Sequence, residues 1–197
     1  LEGAAGYAQL AKDAASVPPG AEGVFLLPYF AGERSPHWAP RDKAMMYGLG
    51  MAHNRAHFAR AALEGVANCL TDVWDALYGS PRNEQRTSEP GAQTVRLTGG
   101  IVRTPLWVQI LADMLGIPLM ALEVADTSAT GAALLGMNAL GLIGWDQTAA
   151  TVAPGPVYSP APACHQYYTQ HHREYKALRR GMAAMGEALD NLRESYR

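Results

Sequence analysis

Two short stretches gather residue types from which a binding site could be built. In residues 97–109 (LTGGIVRTPLWVQ), Gly99 and Gly100 stand between a strand-like and a helix-like segment. Paired glycines let the backbone turn sharply and let a flat or anionic ligand come close where a Cβ would intrude. The amides that open the following helix then point toward that ligand. On spacing alone such a turn is more often plain connection. The second stretch, GERSPHW at 32–38, brings Glu33, Arg34, His37 and Trp38 into one polar loop. Arg34 offers a rigid fork of donors and Trp38 a wall for stacking; the alternative is a loop pinned internally by Glu33 and Arg34.

The remaining reactive residues are scattered. His53 and His57 are four apart, but Asn54 between them reads as a helix cap, which leaves only His57 on the helix and argues against a shared metal. His171 and His172 are adjacent and are expected on different sides of a helix. Cys69 and Cys164 lie far apart, outside any CxxC pattern, and read as reduced structural residues. Neither a Walker A loop nor a GxGxxG fingerprint occurs. No catalytic residue and no metal ligand is assigned from spacing.

The elements that would position these stretches follow from hydrophobic periodicity. The opening 23 residues read as the tail of a helix and a linker closed by Pro18, Pro19 and Gly20, as if the chain entered in mid-domain. Residues 24–30 (VFLLPYF) form an apolar run of strand length, 31–43 a polar loop, and 44–49 a second short apolar stretch. Behind Asn54 a helix is expected from Arg55 to about Leu77. Ala59, Ala62, Leu63, Val66, Leu70, Val73, Trp74 and Leu77 make its buried face, and Arg60, Glu64, Asn68, Thr71 and Asp75 the other side. Residues 79–93 read as a surface excursion. A strand at 94–98, the glycine turn, a helix at 104–115 with Pro105 in its first turn, a strand at 118–122 and a small-residue helix at 127–140 come next. After a loop at 141–162, a last helix at about 165–196 carries a seam of Tyr168, His172, Tyr175, Leu178, Met182, Met185, Leu189 and Leu192. Strand alternating with helix predicts an α/β arrangement, a sheet covered by helices.

Composition narrows the function classes. Of 197 residues 48% are hydrophobic, enough for a sizeable core. Sixteen basic against 18 acidic residues leave a formal charge of −2, so there is no positive excess to neutralise a nucleic-acid backbone. No apolar run approaches the roughly 20 residues of a membrane helix. The expectation is a soluble, cytoplasmic protein with no nucleic-acid or membrane partner.

Four segments, in order, resemble the C-terminal domain of the FGGY carbohydrate kinases. AMMYGLGMAHNRAHFARAALEG (44–65) is similar to the family's second signature: Gly-Leu, a seven-residue gap, His-Phe, two residues, then Ala-Ala-Leu-Glu. FLLPYFAGERSPHWAP (25–40) is similar to its LPY-GER-(S/T)P loop, LTGGIVRTPLWVQILADMLGIPL (97–119) to its adenosine segment, and TSATGAALLG (127–136) to the helix that follows. The resemblance covers roughly residues 18–180.

It implies an RNase H-like domain of the actin-like ATPase superfamily, incomplete on its N-terminal side here, with residues 24–197 as the nucleotide-binding domain. It implies ATP and Mg2+, phosphoryl transfer to a hydroxyl of a sugar or polyol, and a cleft shared with an N-terminal kinase domain that carries the catalytic aspartate and phosphate loops. A homodimer is compatible with it. Gly99, Gly100, Ile101 and Thr104 would contact adenosine, and Glu33, Arg34, His37 and Trp38 would face the cleft between domains. Relatives often continue Gly-Ala where this chain has Ile101 and Val102. The GERSPHW loop and the RAHFARAALEG helix look most like the xylulokinase branch, with gluconokinase and glycerol kinase carrying similar loops. The rival reading is a noncatalytic actin-like module that binds nucleotide or assembles with other subunits; a third leaves the glycine turn without a ligand.

Overall fold

The computed structural model describes residues 3–79, 94–122, 124, 126–150 and 152–195. Six α-helices and five short strands occur among them: α1 (Gly3–Ala15), β1 (Phe25–Leu27), β2 (Met45–Tyr47), α2 (Arg55–Tyr78), β3 (Val95–Leu97), α3 (Pro105–Leu115), β4 (Leu119–Ala121), α4 (Thr127–Ala139), α5 (Trp145–Ala150), β5 (Val157–Tyr158) and α6 (Pro162–Glu194). The α/β expectation holds, but the strands make two small sheets. β1 pairs antiparallel with β2; β4 sits between a parallel β3 and an antiparallel β5. The parallel β3–β4 pair needs a crossover, and α3 provides it.

The main core surrounds α3. Val108, Ile110, Leu111, Ala112, Met114 and Leu115 are buried there with Ala67 of α2, Leu119 of β4 and Tyr168 of α6. Gly116 stops α3 in the left-handed region, φ 69°, as its place after the last apolar residue predicts. Asn54 caps α2 as expected: its side chain accepts from the Ala56 N–H at 2.9 Å, while His57 Nδ1 accepts from the Asn54 N–H at 3.2 Å.

The face that α2 buries differs from the expectation. Of the residues read from periodicity as the outer side, Arg60, Glu64, Asn68 and Thr71 are buried and Asp75 is half-buried, whereas Leu70 and Leu77 are exposed. The helix is sandwiched. α1 and α3 pack along its apolar side, β1 packs across it, and Gly20 and α6 bring hydrogen-bonding partners to its polar side. Gly65 is where β1 crosses α2: a Cβ there would lie 2.3 Å from the Leu26 carbonyl oxygen.

Other readings shift too. β1 covers three residues of the expected seven, because Pro28 removes a ladder donor. The stretch read as linker is packed, with Val17 and Ala21 buried against Val24 and Ala61. The small-residue helix buries none of its residues. The segment read as a plain loop at 141–162 contains α5 and β5. The α6 seam docks through Tyr168, His172, Tyr175 and Met182, then runs out, since Met185 and Leu192 are exposed; the Leu189 side chain lies outside the described set. Most of the excursion at 79–93, residues 80–93, and the final Tyr196 of the last helix lie outside the described residues.

Candidate functional site

The glycine turn is built by β3 ending against α3. Gly99 adopts φ 91°, ψ −166°, a conformation that disfavours any side chain, and residues 100–103 then form one tight helical turn closed by the Thr104 N–H donating to the Ile101 carbonyl at 3.0 Å. The Thr104 carbonyl accepts from the amides of Trp107 and Val108, at 2.8 and 3.2 Å, and starts α3. The Trp107 indole N–H donates to the Leu63 carbonyl at 2.9 Å, which fixes α3 on α2. A Cβ added at Gly99 or Gly100 would meet no heavy atom within 4 Å. Both glycines therefore face open space.

Two cavities flank this turn. One, of about 600 Å³, is lined by Tyr7, Ala8 and Ala11 of α1 and by Gly100, Arg103, Thr104, Pro105 and Trp107. It is a mainly apolar slot whose lining residues with polar side-chain groups include Tyr7, Arg103 and Thr104, a composition suited to a flat heterocycle. The other, of about 310 Å³, is polar and includes Thr98, Gly99, Gly100, Arg103, Asp126 and Ser128 in its lining. Asp126 caps α4 there, its Oδ1 accepting from the Ala129 N–H at 2.9 Å. Gly100 and Arg103 belong to both walls.

The structure thus brings Gly99, Gly100 and Thr104 together. Ile101 lines neither cavity and instead packs against the α3 core. Sequence reasoning missed Tyr7, Trp107, Arg103 and Asp126. Arg103 stood inside the motif, and its charge was the one available signal; Tyr7 is 96 positions from Arg103 and only the docking of α1 brings it there.

The GERSPHW loop is organised by Glu33. This residue is buried, and its carboxylate oxygens accept from the backbone amides of His37 and Ala39, both at 3.3 Å. The loop is internally pinned, but by backbone amides rather than by Arg34, which is exposed. Trp38 is 73% exposed at φ 53°, and His37 Nε2 approaches Asp72 Oδ2 of α2 at 3.8 Å. None of the four lines either cavity beside the glycine turn.

A buried polar seam joins α2 to α6. Glu64 Oε1 accepts from the Gly20 N–H, Arg60 Nε and the Tyr168 hydroxyl, at 2.8, 2.7 and 2.7 Å, and Arg60 Nη2 donates to the same hydroxyl at 2.6 Å. Burial works against the Arg60 charge, yet Tyr168 and Glu64 beside it hold its pKa above the ordinary arginine value. His171 and His172, expected on opposite sides, are both buried. His171 stacks on Phe25 with ring centroids 4.4 Å apart; His172 Nδ1 meets Asn68 Oδ1 at 2.8 Å. Burial, with His172 and Arg60 nearby, lowers the His171 pKa to about 4. Glu64 Oε2 lies 3.9 Å from His171 Nε2, but that carboxylate is already committed to Arg60. The pair His53 and His57, whose spacing argues against a shared metal, also converges, with ring centroids 5.0 Å apart.

Comparison with known proteins places these features in a family. Residues 2–140 match the C-terminal domain of the FGGY family of carbohydrate kinases. A gluconokinase of Bacillus licheniformis is 39% identical over 137 residues, 70% of this chain and 25% of that protein. A glycerol kinase of Thermus brockianus is 38% identical over 125 residues, 62% of this chain and 24% of that protein. The crystal structure of xylulose kinase from Rhodospirillum rubrum superposes with a TM-score of 0.75 at 32% identity, over 94% of this chain and 36% of that one. The chain spans about a quarter of the length of the curated relatives it matches.

Proposed function

This chain belongs to the FGGY family of carbohydrate kinases through that family's C-terminal domain, and from that premise we propose that it is the nucleotide-holding part of an enzyme that transfers the γ-phosphoryl of ATP to a sugar hydroxyl. The purine enters the apolar slot between α1 and α3, with Gly100 beneath it and Thr104 within hydrogen-bonding reach. The open space over Gly99 and Gly100 carries the argument, because it lets the nucleotide approach backbone where any side chain would stand in the way. The polar cavity lined by Asp126 and Ser128 takes the ribose end.

Phosphoryl transfer asks the protein for positioning and charge stabilisation, plus a base for the substrate hydroxyl. This chain supplies positioning. The base and the sugar contacts fall to the N-terminal kinase domain that the resemblance implies, so that the GERSPHW loop faces a cleft that closes on substrate. Among the described residues lining the two cavities Asp126 is the one carboxylate, and its Oδ1 is engaged in capping α4. Mg2+ would be held by the nucleotide's phosphates and would supply charge neutralisation there, with no described side chain of this chain assigned to it. D-xylulose is the proposed acceptor, supported by the loop sequence and by the 32% identity to the Rhodospirillum rubrum enzyme over nearly the whole chain. The cytoplasm is the proposed location; among the described residues no helix is long and apolar enough to cross a membrane.

A coupled ADP-release assay of the full-length enzyme across D-xylulose, gluconate and glycerol tests the reading. Turnover of D-xylulose is expected. Turnover of gluconate or glycerol alone moves the acceptor and leaves the kinase intact; none with any sugar or polyol makes the domain a noncatalytic module. ATP-Mg at a hundred times its dissociation constant should add about 2.7 kcal/mol of stability. No rise in melting temperature would leave the glycine turn without a nucleotide.

A further inference from the structure

We propose that Glu22, His53 and His57 form a binding site for a transition-metal dication of the Zn2+ type, separate from the nucleotide cavities. One ligand atom from each of the three residues lies within 4.8 Å of the other two, and His57 Nε2 is 3.1 Å from Glu22 Oε2. Two imidazoles and a carboxylate are a donor set that suits Zn2+, Ni2+ or Co2+ and disfavours Mg2+ and Ca2+, which prefer all-oxygen shells. Three protein ligands leave one tetrahedral position for water.

The site is held by the backbone around it. Residues 20–23 all have positive φ, at 85°, 48°, 52° and 92°, and two of them, Ala21 and Glu22, are not glycine. Non-glycine residues in that region are uncommon, and two in succession need their surroundings to keep them there. Buried Ala21 and the Gly20 N–H held by Glu64 provide that anchor. The segment leading to His53 is pressed on this turn, since a Cβ at Gly48 would lie 2.0 Å from the Gly23 carbonyl oxygen. His57 is fixed by α2. Two chain segments and a helix start thereby bring their ligands to one point.

The ring nitrogens set the terms of binding. His57 Nδ1 lies 3.2 Å from the Asn54 N–H and 3.2 Å from Asn54 Oδ1. Its ring can therefore accept from the first or donate to the second without moving. In the donating form the Nε2 lone pair is free for a metal, and Asn54 becomes the outer partner that fixes the tautomer, as metal-bound histidines require. His53 Nδ1 accepts from the Gly50 N–H at 2.8 Å, which leaves the proton of a neutral ring on Nε2. Ligation through His53 Nε2 breaks that one contact, at a half-buried residue. This cost makes the site weaker than a closed structural zinc centre.

Titration of the chain with Co2+ and with Zn2+ tests the assignment. Expected are one equivalent bound, the visible d–d band of tetrahedral Co2+, displacement of that band by Zn2+, and a Zn2+-dependent rise in melting temperature. Glu22→Gln and His53→Ala alter accessible side chains outside the α3 core, so they keep the fold while His57→Ala would disturb the α2 cap. Each should weaken Zn2+ at least tenfold and abolish the Co2+ band. An unchanged affinity in both variants, or binding with octahedral Co2+ spectra only, would overturn the site; a far-ultraviolet dichroism spectrum of each variant separates loss of ligand from loss of fold.

Discussion

The seam between α2 and α6 and the turn at Gly99–Thr104 use polar chemistry in opposite ways. The seam is dense in ionisable groups and buried: Glu64 Oε1, Arg60 and Tyr168 bond one another, and Asn68 links His172 to the Glu64 carbonyl, while Glu64 Oε2, His171 Nε2 and His172 Nε2 are enclosed without a hydrogen bond. The turn has few functional side chains and is open, with two cavities and glycines that touch nothing. A concentration of titratable residues would ordinarily attract a search for an active site. Here it marks structure, and the stretch poorer in such residues carries the proposed ligand site. What separates them is access: the seam's polar groups are enclosed among one another, whereas the backbone of the turn lies open.

Three substitutions or conditions press on this contrast. Glu64→Ala should have the largest effect, because it strands the buried Arg60 guanidinium, the Tyr168 hydroxyl and the Gly20 amide together: a loss of roughly 3–5 kcal/mol in a denaturant titration. A loss below about 1 kcal/mol would mean that the seam is wetter than its burial implies.

Acid should act on the same seam. His171 has a folded pKa near 4 against about 6.5 when unfolded, so the unfolded chain binds the extra proton between those values. Stability from this group is therefore complete above about pH 6.5 and is lost as pH falls toward 4, up to about 3 kcal/mol in all. His171→Phe keeps an aromatic ring against Phe25 and should flatten that part of the pH profile. An equal slope in wild type and variant would shift the acid sensitivity elsewhere.

Gly100→Val probes the open region and should reverse the pattern. Its Cβ meets nothing within 4 Å, so stability should change by about 0.5 kcal/mol or less, while ATP affinity of the full-length enzyme falls at least tenfold, about 1.4 kcal/mol. Unaltered nucleotide affinity measured by calorimetry would remove the purine from this slot.

Legibility followed locality. The Asn54 cap, the Pro105 start and Gly116 stop of α3, and the helix extents of α2 and α3 depend on residues within a few positions, and each could be read directly. The inner face of α2 could not. Periodicity assigns burial by hydrophobicity, whereas Arg60, Glu64 and Asn68 are buried because Gly20, Tyr168 and His172, 44 to 108 positions away, bring partners to them. The spacing of apolar residues along a helix carries no record of such partners.

The candidate site divides in the same way. Gly99, Gly100 and Thr104 were visible as a motif, since φ 91° at Gly99 is a property of a single residue. Tyr7, Trp107 and Asp126 complete the cavities only because α1 docks on α3 and α4 begins beside β3, and Ile101 turned out to belong to the core. His53 and Glu22 likewise meet across a backbone contact between Gly23 and Gly48 that no periodicity encodes. The sequence by itself determined the family, the helix termini and the place of the glycine turn, because caps, turns and motif spacing are short-range chemistry. Tertiary structure alone decided which polar residues are spent inside the fold and which remain open to a ligand, because hydrogen-bond satisfaction is a property of pairs distant along the chain.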